Sequence, residues 1–181
     1  MQPEAAFIRS AAERDVPAML RIYTPYVEKS TVSFEDVPPT INQFAERVSK
    51  YIAGWACFVA ERRGEVVGYA YGGAHRERAA YQWSVETSVY VEQRDQGAGI
   101  GRKLYEALLP ELTALGFCNA FAGVALPNPA SVGLHQALGF TRIGTFPRVG
   151  YKFGSWWDVA WFHRVLRSEH PGHRLQREDA S

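Results

Sequence analysis

The stretch Val89-Tyr90-Val91-Glu92-Gln93-Arg94-Asp95-Gln96-Gly97-Ala98-Gly99-Ile100-Gly101-Arg102 decides the fold. Its β-branched and aromatic start reads as the end of a strand. Glycines at steps of two follow, and Ile100, Leu104, Leu108 and Leu112 then recur at helical spacing. Glycines let the backbone take positive φ and lie close to a ligand. The unpaired amides of the first helical turn point outward and attract anions. The stretch is a candidate phosphate cradle, with a plain strand-to-helix turn as the alternative. It is not a Walker A loop, because Gly101-Arg102-Lys103-Leu104 lacks Gly-Lys-Ser/Thr. Nor is it a dinucleotide fingerprint, which needs G-x-G-x-x-G after the first strand of its unit; here the turn follows roughly the fourth.

Working outward, residues 117–124 read as a strand, 128–138 as a helix, and 140–149 and 157–166 as strands. Pro110 is expected to kink the glycine-led helix or split it in two. Upstream, residues 6–10 read as a strand. A helix then opens near Glu13-Arg14-Asp15 and buries Val16, Leu20, Tyr23 and Val27; Pro25 is expected to kink or end it. After a polar loop over 29–39, Thr40 and Gln43 form a capping box ahead of a helix striped with Ile41, Phe44 and Val48. Residues 55–61 and 65–70 read as a hairpin around Arg62-Arg63-Gly64, and 81–91 as one long strand. The order β-α-α-β-β-β-α-β-α-β-β predicts a mixed α/β domain over residues 1–166, built on one curved sheet. Residues 167–181 are expected to form a loosely docked polar tail. His170 and His173 in it are expected to be solvated rather than a metal pair, and no metal is expected.

The 181 residues carry a net charge of +1 and are 46% hydrophobic, which excludes a disordered chain and argues against a dedicated nucleic-acid binder. Cys57 and Cys118 cannot alone supply a disulfide framework or a zinc site, and are expected to lie reduced in the core. The start of the chain lacks a signal pattern, and no apolar run reaches the roughly 20 residues that span a bilayer. A cytoplasmic protein without membrane contact is expected. Trp156, Trp157, Trp161 and Phe162 are assigned to core or dimer interface rather than to a nucleic-acid stacking platform. Strand alternation places Glu86, Ser88 and Tyr90 on one face and Trp83, Val85, Thr87 and Val89 on the other, provided that no bulge intervenes.

Gln96-Gly97-Ala98-Gly99-Ile100-Gly101 resembles the Q/R-x-x-G-x-G/A pyrophosphate loop of the GNAT N-acetyltransferase superfamily, and Asn128 through Phe140 resembles its second signature. Ala80-Tyr81-Gln82-Trp83-Ser84-Val85-Glu86, Ala125-Leu126-Pro127-Asn128 and Gly150-Tyr151-Lys152-Phe153-Gly154-Ser155-Trp156-Trp157-Asp158-Val159 are similar to the phosphinothricin N-acetyltransferase family. The similarity covers about residues 6–166.

The resemblance implies a mostly antiparallel sheet with a splayed parallel pair, helices on both faces, and acetyl-CoA lying in the V between the two strands. It implies that the main chain of Val89, Tyr90 and Val91 holds the pantetheine arm, with the Val91 amide facing the developing oxyanion. The amides of Gln96, Gly97, Ala98, Gly99, Ile100, Gly101 and Arg102 would hold the pyrophosphate. Asn128 would bond the arm, or cap its helix, or both. Glu86 becomes the general base, acting directly or through water; a salt bridge to an arginine is the alternative. His135 becomes a second acid/base group, its direction of proton transfer open, against a satisfied core histidine. Arg76, Arg78 and Tyr81 match positions that bind the acceptor's anionic groups, with Phe34, Ser88, Tyr90 and Ala125 around them. Arg76 and Ala125 depart from the family's lysine and glycine, which puts the exact acceptor in doubt. The expected function is direct acetyl transfer to the α-amine of a small amino-acid-like acceptor such as phosphinothricin, methionine sulfoximine or methionine sulfone, by a homodimer. The alternatives are transfer to another small amine or a peptide N-terminus, and a non-catalytic acyl-CoA sensor. A polyamine acceptor is disfavoured by the sign of Arg76 and Arg78.

Overall fold

The structure, a computed structural model, describes residues 5–169. Most of the expected tail, including His170 and His173, lies outside the described residues. Strands β1 (Phe7–Ser10), β2 (Cys57–Arg62), β3 (Glu65–Ala74), β4 (Ser84–Val91), β5 (Asn119–Ala125), β6 (Thr141–Lys152) and β7 (Ser155–Val165) form one sheet in the order β1-β2-β3-β4-β5-β7-β6. Every neighbouring pair is antiparallel except β4 and β5.

Helices α1 (Val16–Lys29) and α2 (Ile41–Gly54) cover one face; α3 (Ile100–Ala114) and α4 (Pro129–Ala137) cover the other. Under α1 and α2 lies a core of Met19, Ile22, Val27, Phe44, Val48, Val59 and Tyr69. Under α3 lies a second, with Leu104, Tyr105, Leu108 and Leu112 against Val67, Val85, Ala120 and Phe162. Of the three apolar stripes read from helical spacing, that of α3 is buried throughout, that of α1 buries Val16, Tyr23 and Val27 with Leu20 half-buried, and that of α2 buries Phe44 and Val48 but leaves Ile41 exposed.

Both halves of the Thr40–Gln43 capping box form: Gln43 donates its amide N–H to Thr40 Oγ1 at 3.3 Å, and Thr40 N–H donates to Gln43 Oε1 at 2.9 Å. Neither interior proline ends its helix. α1 runs past Pro25 to Lys29, and α3 runs past Pro110 to Ala114. Pro110 lies on the solvent side of α3, where water can serve the carbonyl it leaves unpaired. The long strand expected over 81–91 begins only at Ser84, because residues 79–81 wind into a single 3-10 turn that removes Tyr81 from the sheet. β3 instead runs four residues further than expected, to Ala74. The register of β4 on β3 is unbroken from Val91↔Gly68 to Val85↔Ala74, so the alternation of Glu86, Ser88 and Tyr90 holds.

The aromatic cluster divides. Phe162 is in the core, Trp157 donates its indole N–H to the Lys152 carbonyl, and Trp156 stands half exposed on the outer hairpin. Lys152 is buried and donates Nζ–H bonds to the carbonyls of Val27 (2.6 Å), Ser30 (3.0 Å) and Ser33 (2.7 Å). It stitches β6 to the end of α1 and the loop that follows. On that loop Phe34 packs over Gly150, where a Cβ would collide with its ring.

Lys152→Met would leave three carbonyls without their donor. The expected loss is about 2 kcal/mol, or roughly 4–8 °C in Tm for a domain of this size. A thermal melt with an unchanged midpoint would show that the stitch contributes nothing.

Candidate active site

The parallel seam between β4 and β5 is three residue pairs long: Ser84↔Asn119, Val85↔Ala120 and Glu86↔Phe121. Past Phe121 the strands part. β5 stays with β7 as far as Ala125↔Val159, and β4 stays with β3 as far as Val91↔Gly68. The last stitch is a side chain: Thr87 Oγ1 donates to the Phe121 carbonyl at 3.2 Å. The Trp83 carbonyl accepts from the Cys118 and Asn119 amides. Backbone polar groups alternate sides along a strand, so those of residues 85, 87, 89 and 91 face β5. At Val89 and Val91 no β5 residue stands opposite them. An exposed row of main-chain donors and acceptors is a template for an extended ligand that carries amides.

The gap is a cleft of about 780 Å³, lined by Val89, Val91, Gln96, Gly97, Gly99, Ile100, Gly101, Arg102 and Asn128 among others. Gly97 and Gly99 have φ of +77° and +75°, and Gly99 is the cap residue of α3. That left-handed geometry is why glycine stands at both positions. It turns the first amides of α3 toward the cleft without a side chain in the way. Ala98 lies between them and does not line the cleft. Gly101 packs α3 against α4, with Leu134 Cδ2 3.3 Å from where a Cβ would stand. Asn128 Oδ1 accepts the Ser131 N–H at 3.0 Å and so caps α4 at the cleft edge.

The acidic side chains beside this cradle are paired: Glu106 accepts from Arg102 Nε at 2.8 Å. The buried carboxylate of Asp95 is paired with Arg62 and lies 3.6 Å from Arg94 Nε. The hydroxyl of Tyr26, from α1, ties the cleft wall together. It donates to the Val91 carbonyl at 2.5 Å, accepts the Gln96 side-chain N–H at 2.9 Å, and stands 3.4 Å from the Val91 amide. Tyr26 was missed in the sequence, since 65 and 70 residues separate it from these partners.

Glu86 sits at the last residue pair before the fork. Its carboxylate is part-buried, with 35% of the side chain exposed, and burial pushes its pKa above the usual range while Arg76 opposes that shift. Arg76 lies over the Trp161 ring, 5.9 Å from its centroid, and donates to the His75 carbonyl at 2.9 Å. Arg78 and Tyr81 are exposed on the same segment beyond β3. Ser88 follows Glu86 on this face and bonds Tyr71, which stacks on Tyr51 of α2 at 3.9 Å between centroids. Tyr51 and Tyr71 were not among the expected site residues. Tyr90, by contrast, packs its ring among Tyr23, Tyr26 and Tyr69. Ala125 is buried at the end of β5, and Phe34 stays on its loop against Gly150.

His135 lies inside the fold, where its alternative reading as a satisfied core histidine placed it. It is 3% exposed and does not line the cleft. Both ring nitrogens are engaged inside: Nδ1 lies 2.7 Å from the Ser131 carbonyl, and Nε2 lies 3.0 Å from the Tyr105 hydroxyl. A carbonyl only accepts, so Nδ1 carries the proton and neutral Nε2 accepts from Tyr105. Tyr105 also lies 3.2 Å from Thr87 Oγ1. Burial holds the imidazole's pKa below its ordinary value.

The family description "Acetyltransferase (GNAT) domain" matches residues 8–161. A phosphinothricin N-acetyltransferase of Streptomyces viridochromogenes is 41% identical over 87% of this chain and 86% of its own length. An L-methionine sulfoximine/L-methionine sulfone acetyltransferase of Salmonella typhimurium is 37% identical over 90% of this chain and 95% of its own. Among solved structures, a phosphinothricin acetyltransferase of Sinorhizobium meliloti in complex with AcCoA superposes with a TM-score of 0.89 at 36% identity, covering 93% of this chain and 94% of that one. The match runs from the first strand into the last, through the loop and the fork that shape the cleft, and this chain belongs to the GNAT acetyltransferase family.

Proposed function

We propose that this enzyme transfers an acetyl group from acetyl-CoA to the α-amine of a small amino-acid-like acceptor. The observation that carries this reading is the fork: the cleft runs from the amides of residues 97–102 to Val89 on β4, and Glu86 lies beyond that end, at the last residue pair before β4 and β5 part. The amides of Gly97 through Arg102 would hold the diphosphate, and Asn128 with the Val89 and Val91 main chain would hold the pantetheine arm. The relatives that act on phosphinothricin and on methionine sulfoximine or sulfone support an acceptor of that kind. Such an acceptor carries both a carboxylate and an amine. Arg76 and Arg78 supply cations for the first, and Glu86 supplies a base for the second.

The amine arrives as an ammonium and must lose a proton before it can attack. Glu86 takes that proton, directly or through one water. Burial raises the pKa of the carboxylate, and Arg76 partly opposes that rise. The expected oxyanion donor, the Val91 amide, lies five residues along the strand from Glu86, roughly 16 Å away. Tyr26 also stands in front of it. The Val89 amide, roughly 10 Å from Glu86 and on the same open edge, suits the role better. The seat of His135 changes its assignment as well. It acts as a positioning residue that holds the Tyr105 hydroxyl behind the fork, and not as a group that meets the thiolate.

β6 is an edge strand that exposes Ile143, Phe146, Val149 and Tyr151, with Trp156 beside them on β7. A second copy of the chain covering this row is part of the same proposal. Sedimentation at micromolar concentration would return a dimer; a monomer would remove this element. No helix among the described residues is long and apolar enough to cross a membrane, and the free cysteines Cys57 and Cys118 are buried. A cytoplasmic location fits both facts.

The acceptor is tested by thiol release over a panel of amino acids and their analogues. Phosphinothricin and methionine sulfoximine are expected to react. Failure of both beside reaction of a peptide N-terminus would replace this acceptor class. Glu86→Gln is expected to lower kcat by about 10²–10⁴-fold and to leave acetyl-CoA affinity in place. Arg76→Ala removes the cation that favours ionised Glu86. It is expected to raise the acceptor KM and to move the acid limb of the kcat/KM profile to higher pH. A limb that stays, or moves to lower pH, would separate Arg76 from the base.

A further inference from the structure

His75 follows β3 directly, and its Nδ1 lies 3.6 Å from Glu86 Oε2. That nitrogen is buried and has no hydrogen-bond partner among the described residues. The ring is tightly held. It stacks on Phe121 with centroids 4.4 Å apart and planes 14° from parallel, and the rings of Tyr81 and Trp161 meet it edge-on, each at 6.0 Å. Phe121 is the β5 residue paired with Glu86 across the seam. The fork that opens the cleft therefore also builds the box that aims this imidazole.

An unpaired buried N–H costs free energy, and the acceptor in front of this one is the Glu86 carboxylate. The separation is slightly beyond a normal hydrogen bond, and a small side-chain rotation of Glu86 closes it. We propose that His75 is a positioning residue for Glu86: Nδ1–H donates to Oε2 and leaves Oε1 free to meet the acceptor's ammonium. The assignment rests on the reading of Glu86 as the base. The proton taken from the ammonium lands on Oε1, while the imidazole keeps its own.

The surroundings fit this division. Arg76 is the charged group beside the pair and favours the carboxylate. Tyr81 faces the ring from the 3-10 turn, and the contacts from β5 and β7 are the apolar rings of Phe121 and Trp161. His163 stacks on Phe121 and is bonded to Asn119 Oδ1 at 2.9 Å. Burial and Arg76 both hold the pKa of His75 below its ordinary value, so at neutral pH the ring is a neutral donor beside the carboxyl group of Glu86. A donor to the ionised form lowers the base's pKa, so removing it must raise that pKa.

Three variants separate the possibilities. His75→Phe keeps a stacking ring but loses the donor. His75→Asn places an amide N–H near the Nδ1 position. His75→Gln loses the Nδ1 donor without added bulk and stands in should the Phe variant fail to fold. His75→Phe is expected to lower kcat about tenfold and to move the acid limb up by about one pH unit, with acetyl-CoA KM unchanged. His75→Asn should recover most of the rate, and His75→Phe should add nothing in a Glu86→Gln background. A wild-type rate and profile in His75→Phe beside a slowed Glu86→Gln overturns this assignment alone, as does a His75→Phe loss that persists without Glu86. Wild-type turnover in Glu86→Gln overturns the base and this assignment together.

Discussion

The parting of β4 from β5 after Phe121 is the constraint on which the rest depends. Two strands that start as parallel neighbours follow different partners, β3 on one side and β7 on the other. The division leaves main-chain groups at Val89 and Val91 without a strand beside them, which a sheet interior does not tolerate unless something else pairs with them. On the proposed reading, that edge is where an acyl carrier whose arm is itself built of amides would lie.

Several distant contacts keep the fork in shape. Thr87 closes its narrow end through the Phe121 carbonyl, and the bonded Tyr105–His135 pair packs behind it. Tyr26 braces the wide end against Val91 and Gln96, and Arg62 offsets the acidic charge of Asp95 beside the cradle. Each is a bond between elements far apart in the chain. The glycine-loop end of the cleft is thus braced, with its buried carboxylate paired, before any ligand arrives, which lowers the cost of ordering one there.

Features that depend on local chemistry were legible in the sequence. The glycines at 97 and 99, the Thr40–Gln43 box, the apolar stripes of α2 and α3 and the facing of Glu86 each follow from neighbours a few residues away. The resemblance supplied the parallel pair and the splay, which periodicity alone does not give. What stayed hidden was tertiary. His135 has the same spacing from Asn128 whether it meets a ligand or a core tyrosine; only burial separates the two. His75 looked like one more polar residue before Arg76, because its aromatic box comes from β5, β7 and the 3-10 turn. Tyr81 read as strand because its aromatic neighbours carry the same propensity in either conformation. Pro25 and Pro110 read as breaks because the cost of an interior proline depends on what meets the carbonyl it frees, which the local sequence does not show.

The most direct measurement is a crystal structure of the enzyme grown with coenzyme A. The account predicts the diphosphate on the amides of residues 97–102 and the pantetheine arm running along Val89 toward Glu86, within the gap between β4 and β5. A nucleotide bound on another face, or a thiol ending away from the Glu86–Phe121 pair, would contradict it.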